Sequence, residues 1–277
     1  MWIVTITAIL FGCDQTEFSP QSPHRPPGQQ PQGNGGGQNG GGQDGGGQDG
    51  GGQDDGKETE TDPSTEDRDG DGLSTAEEEI YGTDPDVADS DQDGFLDGEE
   101  VNTHGTNPAY AHSHPYAGGY NVGWCSAVPT GAVGSGRYQR GDVVSNVALL
   151  DQHGESVDLY SFCGQYVLIA FGAGWCGPCQ DLAAEAQDVQ DRYADDGFQF
   201  IEVLIENVWG GSPSTNDLSA WADYGGMETI PVLADGSQQV WSRFEQDGYI
   251  PTTVLLGPDM AILSLDQGLE DPGGHIR

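Results

Sequence analysis

Residues 166–179 read Tyr-Val-Leu-Ile-Ala-Phe-Gly-Ala-Gly-Trp-Cys-Gly-Pro-Cys, an apolar run that ends in two closely spaced cysteines. The run 166–171 is short, apolar and rich in strand-forming residues, which predicts a buried strand. Residues 177–194 carry apolar side chains at helical spacing, which predicts a helix directly after it. Cys176 then lies at a helix N-terminus, where free N–H groups and the helix dipole favour a thiolate. Cys179 lies one turn further on and can attack a mixed disulfide held on Cys176, so this pattern predicts a redox pair.

The sequence around this stretch predicts strands that alternate with helices. Continuous apolar runs indicate buried strands, and 3.6-residue periodicity indicates helices. Predicted strands are 143–150, 157–159, 198–205, 252–256 and 260–265, and further predicted helices are 218–224 and 238–244. The last two strands form a hairpin around Gly257-Pro258-Asp259. Such alternation predicts an α/β sheet.

Residues 137–270 resemble the thioredoxin fold, specifically its extracytoplasmic redoxin branch. The motif Trp-Cys-Gly-Pro-Cys at 175–179 is similar to the thioredoxin active site at every position. Ile250-Pro251-Thr252 resembles the family's cis-proline loop, and a cis X–Pro bond costs far less than other cis bonds. The stretches 141–142 and 149–155 resemble the hairpin that opens redoxin domains. The resemblance implies a thioredoxin fold with an N-terminal β-hairpin extension, covering about half of the chain.

The same resemblance implies an enzyme, a thioredoxin-like thiol–disulfide oxidoreductase. It assigns Cys176 as the attacking thiolate and Cys179 as the resolving thiol, joined in a redox disulfide. No organic cofactor is implied, and the substrates are protein thiols and disulfides. The residues expected to shape the active site are Trp175, Gly177, Pro178, Ile250 and Pro251.

Related chemistries need residues that this chain lacks. A peroxiredoxin has proline and threonine where Ile169 and Ala173 stand, so peroxidase chemistry is not expected. Copper-delivery relatives use a wider cysteine spacing and a later histidine. A zinc site would need a second ligand pair, and Cys125 and Cys163 lack that spacing.

The motif does not show which carboxylate would accept the proton that Cys179 loses. The buried aspartate of cytoplasmic thioredoxin falls on Ala170, and the glutamate of cytochrome-maturation relatives falls on Leu182. Glu202 and Glu206 are conceivable replacements, and the sequence leaves this question open.

Residues 67–100 hold two copies of one acidic pattern. Carboxylates at positions 1, 3, 5 and 12, with glycine at position 6, match a calcium loop of the EF-hand type, in which position 7 offers its carbonyl. The predicted calcium ligands are Asp67, Asp69, Asp71, Leu73 and Glu78 in the first copy, and Asp89, Asp91, Asp93, Phe95 and Glu100 in the second.

The spacing of these copies is too short for a pair of complete EF-hands. With the segments 80–85 and 105–108, the pattern resembles bacterial thrombospondin type 3 repeats, which implies structural calcium in residues 67–108. A dockerin shares the spacing, but Gly-Thr-Asp-Pro ends the helix early. Calcium is expected to stiffen a stalk. The segment 109–136, which holds two of three clustered histidines, is expected to be a plain linker.

The N-terminus predicts an exported, anchored protein. Residues 1–12 are apolar and uncharged, as in a signal peptide, and Leu-Phe-Gly-Cys at 10–13 resembles a bacterial lipobox with Cys13 as the lipidated residue. An ordinary secretory signal remains the alternative. Residues 13–66 are rich in Pro, Gln and then Gly, and predict a disordered tether. A redoxin domain at 137–277 would then work outside the cytoplasm in the bacterial cell envelope, anchored to the bilayer through Cys13.

The net charge of −38, from 46 acids against 8 bases, argues against nucleic acid as a partner. An exported redox protein also needs a membrane or periplasmic partner to renew its cysteines, and none is evident in the chain.

With Cys13 lipidated and the redox pair assigned, Cys125 and Cys163 remain. An oxidising location permits a disulfide between them, and two separate buried thiols are the alternative.

A function of another class stays open. The chain could be a calcium-stiffened cell-surface interaction protein whose redoxin domain mainly binds partners. The two active-site cysteines argue against it, since a scaffold has no need of both.

Overall fold

The computed structural model describes residues 63–125, 127–245, 247–267 and 272–276. The predicted signal at 1–12, Cys13, and all but the last four residues of the predicted tether at 13–66 lie outside this part. Within it, no helix combines the length and the apolar character needed to cross a bilayer.

A mixed five-stranded sheet forms the centre of the larger domain. The parallel strands are β3 (Tyr166–Ala173), β4 (Phe198–Glu206) and β5 (Val232–Ala234), and the antiparallel ones are β6 (Thr252–Leu256) and β7 (Ile262–Gln267). The strand order is β5-β4-β3-β6-β7, so β3 is central. Nearly every residue of β3 and β4 is buried, because helices and loops cover both faces of a parallel sheet.

The helices that cover one face follow from the parallel connections. Right-handed crossovers from β3 to β4 and from β4 to β5 put both connecting helices on the same face. These helices are α3 (Gly177–Tyr193) and α4 (Thr215–Gly225), and they pack against each other. A short hairpin of β1 (Ala148–Leu150) and β2 (Ser156–Asp158) precedes the sheet. The predicted α/β class and thioredoxin-like fold are confirmed.

One strand is shorter than its sequence pattern predicts, and another is shifted by one residue. The run 143–150 pairs as a strand only at its end, and Val143 makes one isolated bridge to Ala261. Leu159, predicted in a strand, instead begins a 3₁₀ turn, Leu159–Phe162.

The region 232–244 also departs from prediction. It contains β5, which the sequence reading missed, and α5 (Trp241–Phe244), which is shorter than the predicted helix. The reason is the Asp235 carboxylate, which accepts hydrogen bonds from the backbone N–H groups of Gln239, Val240 and Trp241. These bonds hold the preceding residues in a turn.

A small N-terminal module holds α1 (Thr75–Tyr81), α2 (Asp97–Glu99) and a π-helical turn, Glu100–His104. Ser74 and Glu77 form a capping box at the start of α1. Gly82, with φ 82°, ends that helix, as the Gly-Thr-Asp-Pro segment predicts.

Residues 109–136 are not the plain linker that the sequence predicts. Tyr110, Tyr116 and Tyr120 from this segment are buried in the core of the sheet domain. The Tyr120 hydroxyl donates to Asp151 at 2.6 Å, and the Tyr116 hydroxyl bonds to Ser161 at 2.8 Å. A segment rich in Gly, Pro and Tyr looks like a loop in sequence, and only its partners in the domain make it part of the core.

Candidate active site

Cys176 is the N-cap residue of α3, as its position before Gly177-Pro178 predicts. Its sulfur accepts a hydrogen bond from the backbone N–H of Cys179 at 3.2 Å. The two cysteines form a disulfide with Cα atoms 5.2 Å apart, and both are almost completely buried. When the pair is reduced, the same N–H and the helix dipole stabilise negative charge on the Cys176 sulfur.

Ile250 and Pro251 lie directly beside this sulfur. The peptide bond between them is cis, and the Ile250 carbonyl oxygen lies 3.9 Å from Cys176 Sγ. The preceding residue, Tyr249, is 65% exposed. An extended polypeptide can reach the backbone of Ile250 from the surface, which brings its own sulfur next to Cys176.

Glu206 holds the tryptophan of the active-site motif in place. The Trp175 indole N–H donates to one carboxylate oxygen of Glu206 at 2.7 Å, and the Gln238 amide donates to the other at 3.1 Å. Both oxygens of Glu206 are thus occupied at the surface. Of the two acids that the sequence leaves open, Glu206 positions Trp175.

The loop after β4 forms a second wall of the site that sequence reasoning missed. The Asn207 side-chain oxygen accepts the N–H groups of Trp209 and Gly211, each at 3.0 Å, which makes this loop an ordered turn. A Cβ on Gly174 would lie 2.7 Å from the nitrogen of Val208, so only glycine allows this loop to approach the motif. The turn leaves Trp209 90% exposed.

Glu202 is buried inside the sheet domain, with 1% exposure. One of its carboxylate oxygens has no hydrogen-bond partner. Burial raises the pKa of this carboxyl to about 8, while the neighbouring Trp221 side chain lowers the pKa by less. A buried acid with a strongly raised pKa is a candidate for a functional residue.

The two predicted calcium loops each bring three carboxylates together. The oxygens of Asp67, Asp69 and Asp71 lie within 4.8 Å of one another, and the same holds for the group Asp89, Asp91 and Asp93. Glycines at position 6, Gly72 and Gly94, adopt φ angles of 102° and 104°, which side chains rarely allow. The position-7 residues also differ in burial, since Leu73 is 1% exposed and Phe95 is half-buried.

The position-12 glutamates lie near enough to their triplets for the charges to interact, although neither belongs to the groups of three. Glu78 and Glu100 are fully buried, and three of their four carboxylate oxygens lack hydrogen-bond partners. Burial first, and then neighbouring carboxylates, raise the pKa of Glu78 to about 7; burial raises that of Glu100 to about 9. Buried anionic oxygens without donors fit a hard divalent cation such as calcium.

Asp97 is a further acid of this module that the sequence reading did not single out. It is fully buried, accepts the Ser90 N–H at 2.9 Å with one oxygen, and has no partner at the other. Its charge helps to raise the pKa of Glu78, and the next residue, Gly98, donates its N–H to Asp71 at 2.8 Å. The helix of the second repeat therefore closes over the first loop. Asp97 could have been found in the sequence as position 9 of the second loop, a position that often takes part in calcium binding.

The remaining cysteines, Cys125 and Cys163, are paired as a disulfide with Cα atoms 5.4 Å apart. Next to it, the Gly123 N–H donates to the Ser161 carbonyl at 2.8 Å. This pair joins the end of the segment 109–125 to the sheet domain.

The three histidines do not form a metal group with each other. His104 lies 3.3 Å from Glu99, and His112 lies 3.5 Å from Asp158. His114 stacks on Phe95 with ring centroids 6.1 Å apart. Within the described residues, the acidic triplets are the groups that could hold a metal ion.

Comparison with known proteins supports both parts of the chain. Residues 140–264 match the model of the AhpC/TSA family, and residues 67–85 and 89–109 match the bacterial TSP3 repeat. The thioredoxin-like protein YneN of Bacillus subtilis is 28% identical over 130 residues, which are 47% of this chain and 72% of that protein. Thioredoxin of Mycoplasma genitalium is 27% identical over 90 residues, or 32% of this chain and 76% of that one.

Two solved structures are also similar to part of this chain. The thioredoxin domain of a thiol-disulfide oxidoreductase from Bacteroides vulgatus is 21% identical with a TM-score of 0.41, covering 48% of this chain and 92% of that one. StoA from Bacillus subtilis is 18% identical with a TM-score of 0.38, covering 48% and 94%. The family matches agree with the resemblances found in the sequence, to redoxin domains over residues 140–264 and to bacterial TSP3 repeats over residues 67–85 and 89–109.

Proposed function

We propose that this chain is an extracytoplasmic thiol–disulfide oxidoreductase that exchanges dithiol and disulfide with protein substrates through Cys176 and Cys179. The observation that carries the proposal is the position of the Cys176 sulfur. It caps α3, is joined to Cys179, and lies 3.9 Å from the backbone carbonyl of Ile250. The thioredoxin-like relatives and the redoxin family match support the same class of enzyme.

The exchange proceeds in two displacement steps. In the reducing direction, the Cys176 thiolate attacks one sulfur of a substrate disulfide, and the other substrate sulfur leaves as a thiolate. Cys179 then loses a proton and attacks Cys176, which forms the Cys176–Cys179 bond and releases the second substrate sulfur. Two electrons pass from the enzyme to the substrate. The oxidising direction is the same path in reverse.

Peroxide reduction is not supported, although the matching family model covers proteins of the AhpC/TSA type. Ile169 and Ala173 stand where a peroxiredoxin has proline and threonine, and both side chains are apolar and buried in β3. Neither side chain can donate a hydrogen bond to a peroxide.

The substrate surface is built from Trp175, Pro178, the Ile250–Pro251 backbone and the exposed Trp209. These groups suit an extended segment of protein that carries large apolar side chains next to its cysteine. A membrane or periplasmic partner is needed to renew the cysteine pair.

We further propose that Cys13 anchors the chain to a bilayer of the bacterial cell envelope and that residues 13–66 tether the folded part. Calcium held by the two acidic loops then serves as a structural ion. The buried carboxylate oxygens without partners support this role. The alternative function is a calcium-stiffened interaction protein. It would keep the same anchor, tether and calcium loops, but Cys176 and Cys179 would be dispensable.

An insulin-reduction assay separates the two functions. We expect Cys176→Ser to abolish turnover and Cys179→Ser to accumulate a mixed disulfide with the substrate, visible by mass spectrometry. The double variant Cys125→Ser/Cys163→Ser serves as the control for general loss of cysteine. Turnover that survives in Cys176→Ser would refute the enzymatic assignment.

A further inference from the structure

A buried carboxylic acid without an assigned role lies in the middle of the sheet. Glu202 is in β4, has 1% exposure, and has one carboxylate oxygen without a hydrogen-bond partner. The Trp221 side chain on α4 is next to this carboxyl and lowers its pKa by less than burial raises it. Burying an ionisable group this way is costly, so its position calls for a function.

The strand register places Glu202 on the same face of the sheet as the redox pair. Side chains alternate between faces along a strand, so Ala170 and Gly172 of β3 point to one face. A Cβ built on Gly172 would lie 3.3 Å from Cys179 Sγ, which shows that this face carries Cys179. Glu202 is the register partner of Ala170 in the adjacent parallel strand, and register partners share a face.

The missing side chains leave room for the carboxylate. Ala170 ends at its Cβ and Gly172 has none, so the β3 positions between Glu202 and Cys179 carry little more than backbone. Ala183, one helical turn after Cys179 on α3, is also small and fully buried. These small side chains leave space for a glutamate from β4 on the sheet face that carries Cys179.

The neighbours of Glu202 on the adjacent strands and on α4 are uncharged. Toward Glu202, β3 presents Ala170, β5 presents Val232, and α4 presents Trp221. On α3, Cys179 is the titratable group among the buried residues, and Glu206, further along β4, is engaged by Trp175 and Gln238. The other acids of α3 and α4 lie exposed or in the α4 cap: Asp181, Glu185, Asp188, Asp191, Asp217 and Asp223.

We propose that the Glu202 carboxylate accepts the proton that Cys179 loses before it attacks the mixed disulfide. The proposal rests on the proposed function and adds a residue to it. The S–H bond of Cys179 breaks and an O–H bond forms on Glu202. The Cys179 thiolate then forms the bond to Cys176, and the substrate sulfur leaves with the electron pair of the broken bond. In the oxidising direction, Glu202 returns the proton to Cys179.

The environment of Glu202 suits this exchange. Burial brings the pKa of its carboxyl to about 8, close to that of an ordinary thiol. A base and an acid of similar pKa pass a proton with little free-energy cost in either direction. An exposed glutamate, with its lower pKa, would hold the proton too weakly.

The test measures the two displacement steps separately. Reduced protein is mixed with a peptide disulfide whose two thiols report their release by fluorescence. We expect Glu202→Gln to change release of the first thiol by less than about twofold and to slow release of the second roughly a hundredfold, the usual range for general base catalysis. Glu185→Gln, the same substitution at an exposed site on α3, should leave both steps unchanged.

The pH profile distinguishes proton transfer from a structural role. In the wild type, the second step should rise with pH and level off near the pKa of Glu202. In Glu202→Gln, it should follow the ionisation of Cys179 alone. Unchanged rates and an unchanged profile in Glu202→Gln would overturn the proposal.

Two further measurements keep the test decisive. If Glu202→Gln does not fold, the reduced-minus-oxidised infrared spectrum of the wild type should show a shifted carboxylic acid band, and a spectrum without one overturns the proposal. If the wild type releases no first thiol at all, the proposed function itself fails. That outcome is distinct, because it concerns Cys176 and the step before Glu202 takes part.

Discussion

At the scale of single residues, position decides what each acid or thiol can do. Cys176 and Cys179 are three residues apart, yet only Cys176 receives an N–H from the helix start. Glu202 and Glu206 lie on one strand four residues apart. Glu206 at the strand end accepts hydrogen bonds from two side chains, whereas Glu202 is buried and one of its carboxylate oxygens has no hydrogen-bond partner.

The raised pKa of Glu202 predicts how stability depends on pH. Between about pH 4.5 and about pH 8, the folded protein holds a proton on this carboxyl that the unfolded chain has lost. Folded stability therefore falls as pH rises through this window, by an amount on the order of a few kcal/mol. We expect Glu202→Gln to be free of this loss and to gain stability relative to wild type between pH 5 and pH 9.

Urea unfolding of the oxidised wild type and of oxidised Glu202→Gln, at about pH 5 and about pH 9, measures this difference in the free energy of unfolding. Glu185→Gln, which removes an exposed acid, should follow the wild type. If Glu202→Gln and the wild type lose stability in parallel, the carboxyl does not titrate in this window.

At the scale of elements, the small N-terminal module consists of helices too short to be stable by themselves. The α1 helix has seven residues and α2 has three, below the length at which isolated helices form in water. Their order depends on the carboxylates that converge between them. Asp97 of the second repeat lies over the loop of the first, so the two repeats share one structure.

Removing one buried acid of the first loop should therefore weaken calcium binding. Glu78 is fully buried with both carboxylate oxygens unpartnered, whereas the next residue, Glu79, is exposed. We expect Glu78→Gln to lower calcium affinity at least roughly tenfold, because it removes a charged bidentate ligand. Glu79→Gln is the matched control and should bind as the wild type does.

Isothermal titration of calcium into the full chain, followed by circular dichroism, measures this prediction. Equal affinities in the two variants would contradict the assignment of Glu78 as a ligand. A wild type that takes up no calcium at millimolar concentration would contradict the calcium assignment as a whole.

At the scale of the whole molecule, the segment 109–125 joins the small N-terminal module to the sheet domain. The Asn107 side chain donates to the Cys125 carbonyl, and Ser113 donates to the Gly123 carbonyl at 3.1 Å. Tyr81 of α1 lies 6.2 Å from Trp124, measured between ring centroids. The Cys125–Cys163 disulfide then ties this segment to the domain.

The disulfide should accordingly protect the segment from proteolysis. We expect mass spectrometry of the non-reduced protein to find a cross-linked Cys125–Cys163 peptide. Cys125→Ser/Cys163→Ser should lose on the order of 2–4 kcal/mol of stability and be cut faster within 109–136. Free-thiol labelling of both residues in the oxidised wild type would contradict the pairing.

Local patterns were sufficient for the elements that carry the chemistry. The β3 strand and the α3 helix are long and strongly apolar on one side, and their bounds lie within two residues of prediction. Such patterns could not predict the turn at Asp235, because the turn depends on one carboxylate that accepts hydrogen bonds from three backbone N–H groups.

The sequence by itself determined the redox motif, the thioredoxin-like class and the acidic loops, since each depends on neighbours in the chain. Only the tertiary structure decided that Glu202 is buried on the sheet face that carries Cys179, that the second repeat closes over the first loop, and that 109–125 belongs to the core. These three depend on strand register and on contacts between distant segments. Residue type and local spacing do not specify such contacts, and packing of the whole chain does.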